Sequence, residues 1–114
     1  MTTYQAAVKR DHDAAVEALM DAYHAYGEHP TDEQTFWLNS IIATYIGNIL
    51  TPAQITEALA TCHDIHYRRT EKPNLMYHGA EVMPEDDLYQ DALADYEHDN
   101  ETTLYRIIQE AVKE

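Results

Sequence analysis

Asp13, Glu17 and Asp21 stand four residues apart, and so do Asp87, Asp91 and Asp95. On a helix that spacing sets each trio in one row, about one turn per step. Carboxylates in a row suit two kinds of chemistry. They can hold magnesium, which takes oxygen ligands and shares them with a phosphate. They can also take the place of phosphates in front of a basic surface. A separate set is Cys62 and His66, again one turn apart, with His63 beside them. Thiolate and imidazole are zinc ligands, and a thiol next to a histidine can also serve as a nucleophile with its base.

The two catalytic readings lack their other halves. Helical nucleotide hydrolases hold magnesium between acid pairs on two helices. Glu17 with Asp21 supplies one pair, but residues 34 to 50 contain no acid to supply the second. Zinc needs four ligands, or three and a water, and no matching pair accompanies Cys62 and His66. The expected place of Cys62 on a buried helix face argues against a reactive thiolate. His12 falls on an inward face and reads as a core or boundary histidine. No glycine-rich phosphate loop and no Gly-x-Ser-x-Gly elbow is present.

The charge pattern carries more. Residues 11 to 67 hold nine acids and no lysine or arginine, and residues 73 to 105 again hold nine acids and no base. Between them lies one basic cluster, Arg68, Arg69 and Lys72, and the chain has a net charge of −14. Like charges four apart cost a helix roughly 0.2–0.5 kcal/mol per pair. Lys9 and Arg10, the bases nearest the first row, sit at the N-terminal end of that helix, the wrong end for its dipole. Folding alone gives no reason for the rows. As phosphate mimics the carboxylates repeat about every 6 Å, against one duplex charge per roughly 1.7 Å. One row is too sparse for a duplex. Two rows side by side, with Glu81, Glu85, Asp86, Glu97 and Glu101 between them, come closer, and single strands match more easily. The plainer alternative is a solvated face that maintains solubility.

Nine tyrosines against one phenylalanine add to the binding argument. Tyrosine suits surfaces that are half apolar and half wet. Tyr77 and Tyr89 read as interface anchors near the second acid row. Tyr23, Tyr45 and Tyr105 read as covers over helix crossings, with hydroxyls reaching solvent.

The elements that position these residues read as helices. The spacing predicts a first helix from about Thr3 to Tyr26, stopped by Gly27, with Val8, His12, Ala15, Leu19, Tyr23 and Tyr26 on one face. Thr31 and Gln34 form a capping box for a second helix that runs to Leu50. Apolar groups surround that helix, from Phe36 and Trp37 to Ile49, which predicts the central and most buried element. Thr51-Pro52-Ala53-Gln54 starts a third, ending near Arg69, with Ile55, Ala58, Leu59, Cys62 and His66 buried. Residues 70 to 84 form one long connection, in which 74 to 83 can hold a short extended piece. Pro84 opens a fourth helix, with Glu85, Asp86 and Asp87 in its first turn. Asn100 caps a fifth, with Leu104, Ile107, Ile108 and Ala111 inward. The predicted fold is all-α, a single compact helical domain over residues 1–114, built as a bundle of about five helices.

At 114 residues and 45% hydrophobic content the chain can bury one core. A single cysteine and a start without a basic-then-apolar leader fit the cytoplasm. The charge disfavours direct contact with nucleic acid or anionic lipid. In size, acidity and helical content the chain resembles, in composition and not in aligned residues, small inhibitor proteins of phages and mobile elements. Such inhibitors block nucleic-acid-binding enzymes of host defence, as in anti-restriction and anti-CRISPR systems. The expectation is a non-enzymatic inhibitor without a cofactor. Its acids Asp87, Asp91 and Asp95, with Glu85, Asp86, Asp13, Glu17 and Asp21, would face a basic nucleic-acid-binding surface on a protein target, with Tyr77 and Tyr89 as anchors. The alternative is a helical adaptor or dimerisation module that binds through an apolar patch around Phe36 and Trp37. A metal-dependent enzyme is the third.

Overall fold

The structure, a computed structural model, describes residues 3–112. Four helices and one hairpin follow in the order α1 (Thr3–Tyr26), α2 (Asp32–Ile46), α3 (Pro52–Glu71), β1 (Leu75–Tyr77), β2 (Ala80–Val82) and α4 (Tyr89–Val112). α1 has the predicted bounds, and the Gly27 N–H donates to the Tyr23 carbonyl at 2.8 Å to close it. Both capping boxes form. The Thr31 hydroxyl accepts from the Gln34 N–H at 3.2 Å while Gln34 accepts from the Thr31 N–H at 2.8 Å. Thr51 and Gln54 repeat this at 3.2 and 2.9 Å. Each cap is worth about 1 kcal/mol.

α2 stops at Ile46, short of the predicted Leu50. Gly47 takes the left-handed conformation at φ 76° and its N–H reaches back to the Ala43 carbonyl. A side chain at that φ is strained, so glycine sets the end. Leu50 then turns inward, 1% exposed. Its backbone is held from both sides by Asn39, whose Oδ1 accepts the Leu50 N–H at 2.9 Å and whose Nδ2 donates to the Leu50 carbonyl at 3.2 Å.

The main core joins Ala15 and Leu19 of α1, Leu38 and Ile42 of α2, Ile55, Ala58, Leu59, Cys62 and Ile65 of α3, and Leu104, Ile107, Ile108 and Ala111 of α4. α2 is not the central helix. It packs chiefly on α1 and buries only Leu38 and Ile42. The reason is its position at the edge of the bundle. A helix with one main neighbour can bury one stripe, whatever its overall hydrophobicity.

The predicted fourth and fifth helices are one. α4 runs unbroken for 24 residues, because nothing between Tyr96 and Leu104 breaks it and the buried residues keep a helical period. Asn100 therefore lies inside the helix and caps nothing. Its Nδ2 is buried without a hydrogen-bond partner. Four helices replace the expected five among the described residues, and the fold is mainly, not wholly, helical.

The long connection holds the extended piece, as an antiparallel hairpin in the register Leu75↔Val82, Met76↔Glu81, Tyr77↔Ala80. His78 and Gly79, at φ 52° and 80°, make the turn. Two positive φ values match the twist of tight hairpins, and histidine takes the costlier one. Leu75 and Val82 form a second small core with Tyr89 and Ala92 of α4. That lobe lies beside the main core, so the molecule is a slab of 43 × 39 × 20 Å. Among the described residues no helix is long and apolar enough to cross a membrane.

Candidate functional site

The hairpin leads into an acidic corner. Pro84 does not open a helix: residues 84–88 form turns, and α4 begins at Tyr89. Asp86 explains this. Its carboxylate accepts the Met83 N–H at 2.9 Å, its own N–H donates to the Met83 carbonyl at 2.9 Å, and its carbonyl accepts the Tyr89 N–H at 3.1 Å. This short-range turn competes with a helical first turn. Asp87 therefore precedes the helix, and only Asp91 and Asp95 stand on it, with Asp99 continuing their row. Glu85, Asp86, Asp87, Asp91 and Asp95 are all exposed.

The bases lie elsewhere. Arg69 pairs with Glu97 at 2.6 Å, Lys9 with Asp13 at 2.9 Å, and Arg10 with Asp11 at 3.8 Å. Arg106 pairs with Glu57 and Glu110. Arg68 lies over the Tyr96 ring at 4.5 Å. Among the described residues no base pairs with any of the five corner acids.

The row on α1 is not equivalent. Asp13 is half-buried and receives a hydrogen bond from the Tyr105 hydroxyl of α4 as well as from Lys9. The Tyr105 contact, then Lys9, hold its carboxyl below the usual range. The same contact and burial push Tyr105 up to about 12. Glu17 and Asp21 stay exposed, and on the α4 side they share a hollow with Glu101. The α1 row thus neighbours Glu101, whereas Asp95 stands six residues earlier on α4 and about a third of a turn around it. The two rows do not lie side by side.

Two expected anchors change standing. Tyr89 is 2% exposed, and its hydroxyl donates to the Pro73 carbonyl at 2.8 Å. It fastens the hairpin to α4 and offers no contact area. Tyr77 is half-buried against the same small core, with its ring 4.2 Å from that of His78. Tyr23 and Tyr105 do cross between helices, but their hydroxyls bond His63 Nδ1 at 2.8 Å and Asp13 instead of reaching water.

The thiol chemistry fails on burial. Cys62 is fully buried in the main core, and burial pushes its thiol up to about 12. A thiolate nucleophile or ligand needs the opposite shift. His66 is partly exposed and lies against His24 and Tyr23, at ring distances of 5.5 and 5.6 Å. Among the described residues no group of three or more His, Cys, Asp or Glu is arranged to hold a metal ion. That includes Cys62 with His66, and Glu17 with Asp21.

Sequence reasoning missed a trough between α1 and α2. Ala14, Ala18, Ala22 and Ala25 line it from α1, and Leu38, Ile41 and Tyr45 from α2. The signal was available as alanines at four-, four- and three-residue steps, but helix-forming alanine draws little notice. On the same helix Phe36 and Trp37 meet edge to face at 5.5 Å and are 63% and 55% exposed. Compared with known proteins, the chain matches no family model, no curated protein and no solved structure.

Proposed function

We propose that the chain is a non-enzymatic inhibitor whose acidic corner docks on a basic nucleic-acid-binding surface of a protein target. One observation carries this reading: among the described residues the partnered bases engage other acids or Tyr96, and no base pairs with the exposed Glu85, Asp86, Asp87, Asp91 and Asp95. Carboxylates without an internal cation keep their field for an external one. The corner is short, so it suits a single-stranded path or a few phosphate positions better than a long duplex. Asp87, Asp91 and Asp95 would take phosphate positions, opposite lysines and arginines of the target. Electrostatic steering would speed the encounter, and salt would weaken it.

The test is retention of proteins from a nuclease-treated bacterial lysate on the immobilised chain, eluted with a salt gradient. The expected partner is a nucleic-acid-binding protein that leaves at moderate salt and is displaced by its own DNA or RNA. Replacing Asp87, Asp91 and Asp95 together by asparagine should abolish retention while helicity persists. Undiminished retention by that triple variant would sink the mechanism. A helical adaptor is the second reading, favoured by the exposure of Phe36, Trp37, Ile41 and Tyr45. A partner held at high salt would favour it.

A further inference from the structure

We infer that the trough between α1 and α2 seats an amphipathic helix of a partner protein, with apolar anchors below and lysine or arginine along the edge that faces α1. This site is separate from the acidic corner and stands whether or not that corner imitates nucleic acid.

The floor comes from α1. Ala14, Ala18, Ala22 and Ala25 line it, and methyl side chains let another helix approach to the usual 8–10 Å between axes. From Ala14 to Ala25 the floor runs about 16 Å, or three turns. One wall comes from α2. Ile41 and Tyr45 line the trough, and Trp37 continues their row one turn outside it; the three are 49%, 40% and 55% exposed. They form an open apolar row of about 12 Å, the length of an i, i+4, i+7 set of anchors. Among the described residues the other helices expose large apolar side chains singly, as at Tyr26, Tyr67 and Val112, and not three in a row. The hollow measures ≈ 380 Å³.

Charge selects the occupant. Glu17 and Asp21, both exposed, border the trough on the α1 side. Beside Ile41 and Tyr45 the α2 side is neutral: residues 34 to 56 contain no acid, base or histidine, and Glu33 lies about two turns before Ile41. An occupant therefore needs cations on one edge only, with uncharged polar groups on the other. A second copy of this chain does not meet that need. Among the described residues its Lys9, Arg10, Arg69 and Arg106 are already paired with the chain's own acids. Two bodies of charge −14 also repel.

The probe is a synthetic three- to four-turn helical peptide with leucine anchors, lysine along one edge and glutamine along the other. Its control has the same composition in shuffled order. Binding is read by fluorescence anisotropy and mapped by amide chemical shifts. The ordered peptide should bind at least tenfold more tightly than the control and shift amides of α1 and α2. Ile41→Gln with Tyr45→Gln should erase that tenfold preference. Glu17→Lys with Asp21→Lys should transfer the preference to a peptide with glutamate in place of lysine, an outcome that misfolding cannot produce. The Asp87, Asp91 and Asp95 triple variant should bind the peptide as the parent does, which separates this site from the proposed docking face. Equal affinity for the two peptides, or shifts confined to the hairpin and the start of α4, would overturn the inference. So would self-association in sedimentation that Ile41→Gln disperses, because the trough would then hold a second copy.

Discussion

α2 and α4 treat their surfaces in opposite ways. α4 turns Leu104, Ile107 and Ile108 fully inward and leaves Asp91, Asp95 and Asp99 in water. α2 carries no charge after Glu33 and leaves Phe36, Trp37 and Ile41 about half exposed or more. α4 obeys the ordinary amphipathic rule and departs from expectation only in the density of unpaired acid. α2 breaks the rule itself. Under the two proposals above, the faces would take different partners, one recognised by charge and one by apolar contact with charge along a single edge.

The largest expected effect divides α2 against itself. Ile42 is fully buried and Ile41 is 49% exposed. Ile42→Ala should cost about 2–5 kcal/mol of stability, whereas Ile41→Ala should fall within roughly 0.5 kcal/mol of the parent. Urea denaturation of both variants checks this. Equal losses would mean that Ile41 is covered in solution and would break the comparison.

A middle effect belongs to α4. Asn100 places a buried amide nitrogen in the helix with no partner, and an unsatisfied donor costs about 1–3 kcal/mol. Asn100→Leu should raise stability by about 1 kcal/mol, since the larger apolar group must also fit. A thermal melt that falls instead would show that the amide is satisfied.

The smallest effect depends on pH. Asp13 is held below its usual range by Tyr105 and Lys9, so the folded chain binds its proton less readily than the unfolded one. The resulting stability is present above the unfolded pKa of about 3.9 and is lost as pH falls through the lower folded value. Tyr105→Phe should lower the urea midpoint near neutral pH, and the gap should narrow as Asp13 is protonated. Because Asp13 keeps 42% of its side chain exposed, screening holds the effect to less than about 1 kcal/mol. A gap independent of pH would show that Tyr105 acts by packing alone.

Short-range chemistry was legible in the sequence. Both Thr-x-x-Gln boxes, the stop at Gly27 and the extended piece around 74–83 depend on residues within a few positions of one another. Ala15, Leu19, Ile55 and Leu59 were legible as core because their spacing repeats. What escaped depends on distant neighbours. The Tyr105–Asp13 contact joins residues 92 apart, and Tyr89 is buried because Leu75 and Val82 of the hairpin pack in one cluster with it. Asn100 had the right chemistry for a cap but no break in the helix to cap. The apolar content of α2 was plain, yet nothing local says how many helices will cover it. The acid rows were visible as spacing, and only the fold shows that Asp13 is engaged while, among the described residues, no base pairs with Asp91 or Asp95.

Asn39 bears on what a partner would meet at α2. By accepting and donating at Leu50 together, it acts toward that residue as a neighbouring strand would. The link after α2 is thereby tied to the helix before any partner arrives, and the row of Trp37, Ile41 and Tyr45 sits on a frame already set. The entropy of ordering on association then falls almost entirely on the incoming chain. The rate of capture would be governed by how often that chain is helical when it collides, and hardly at all by rearrangement of this protein.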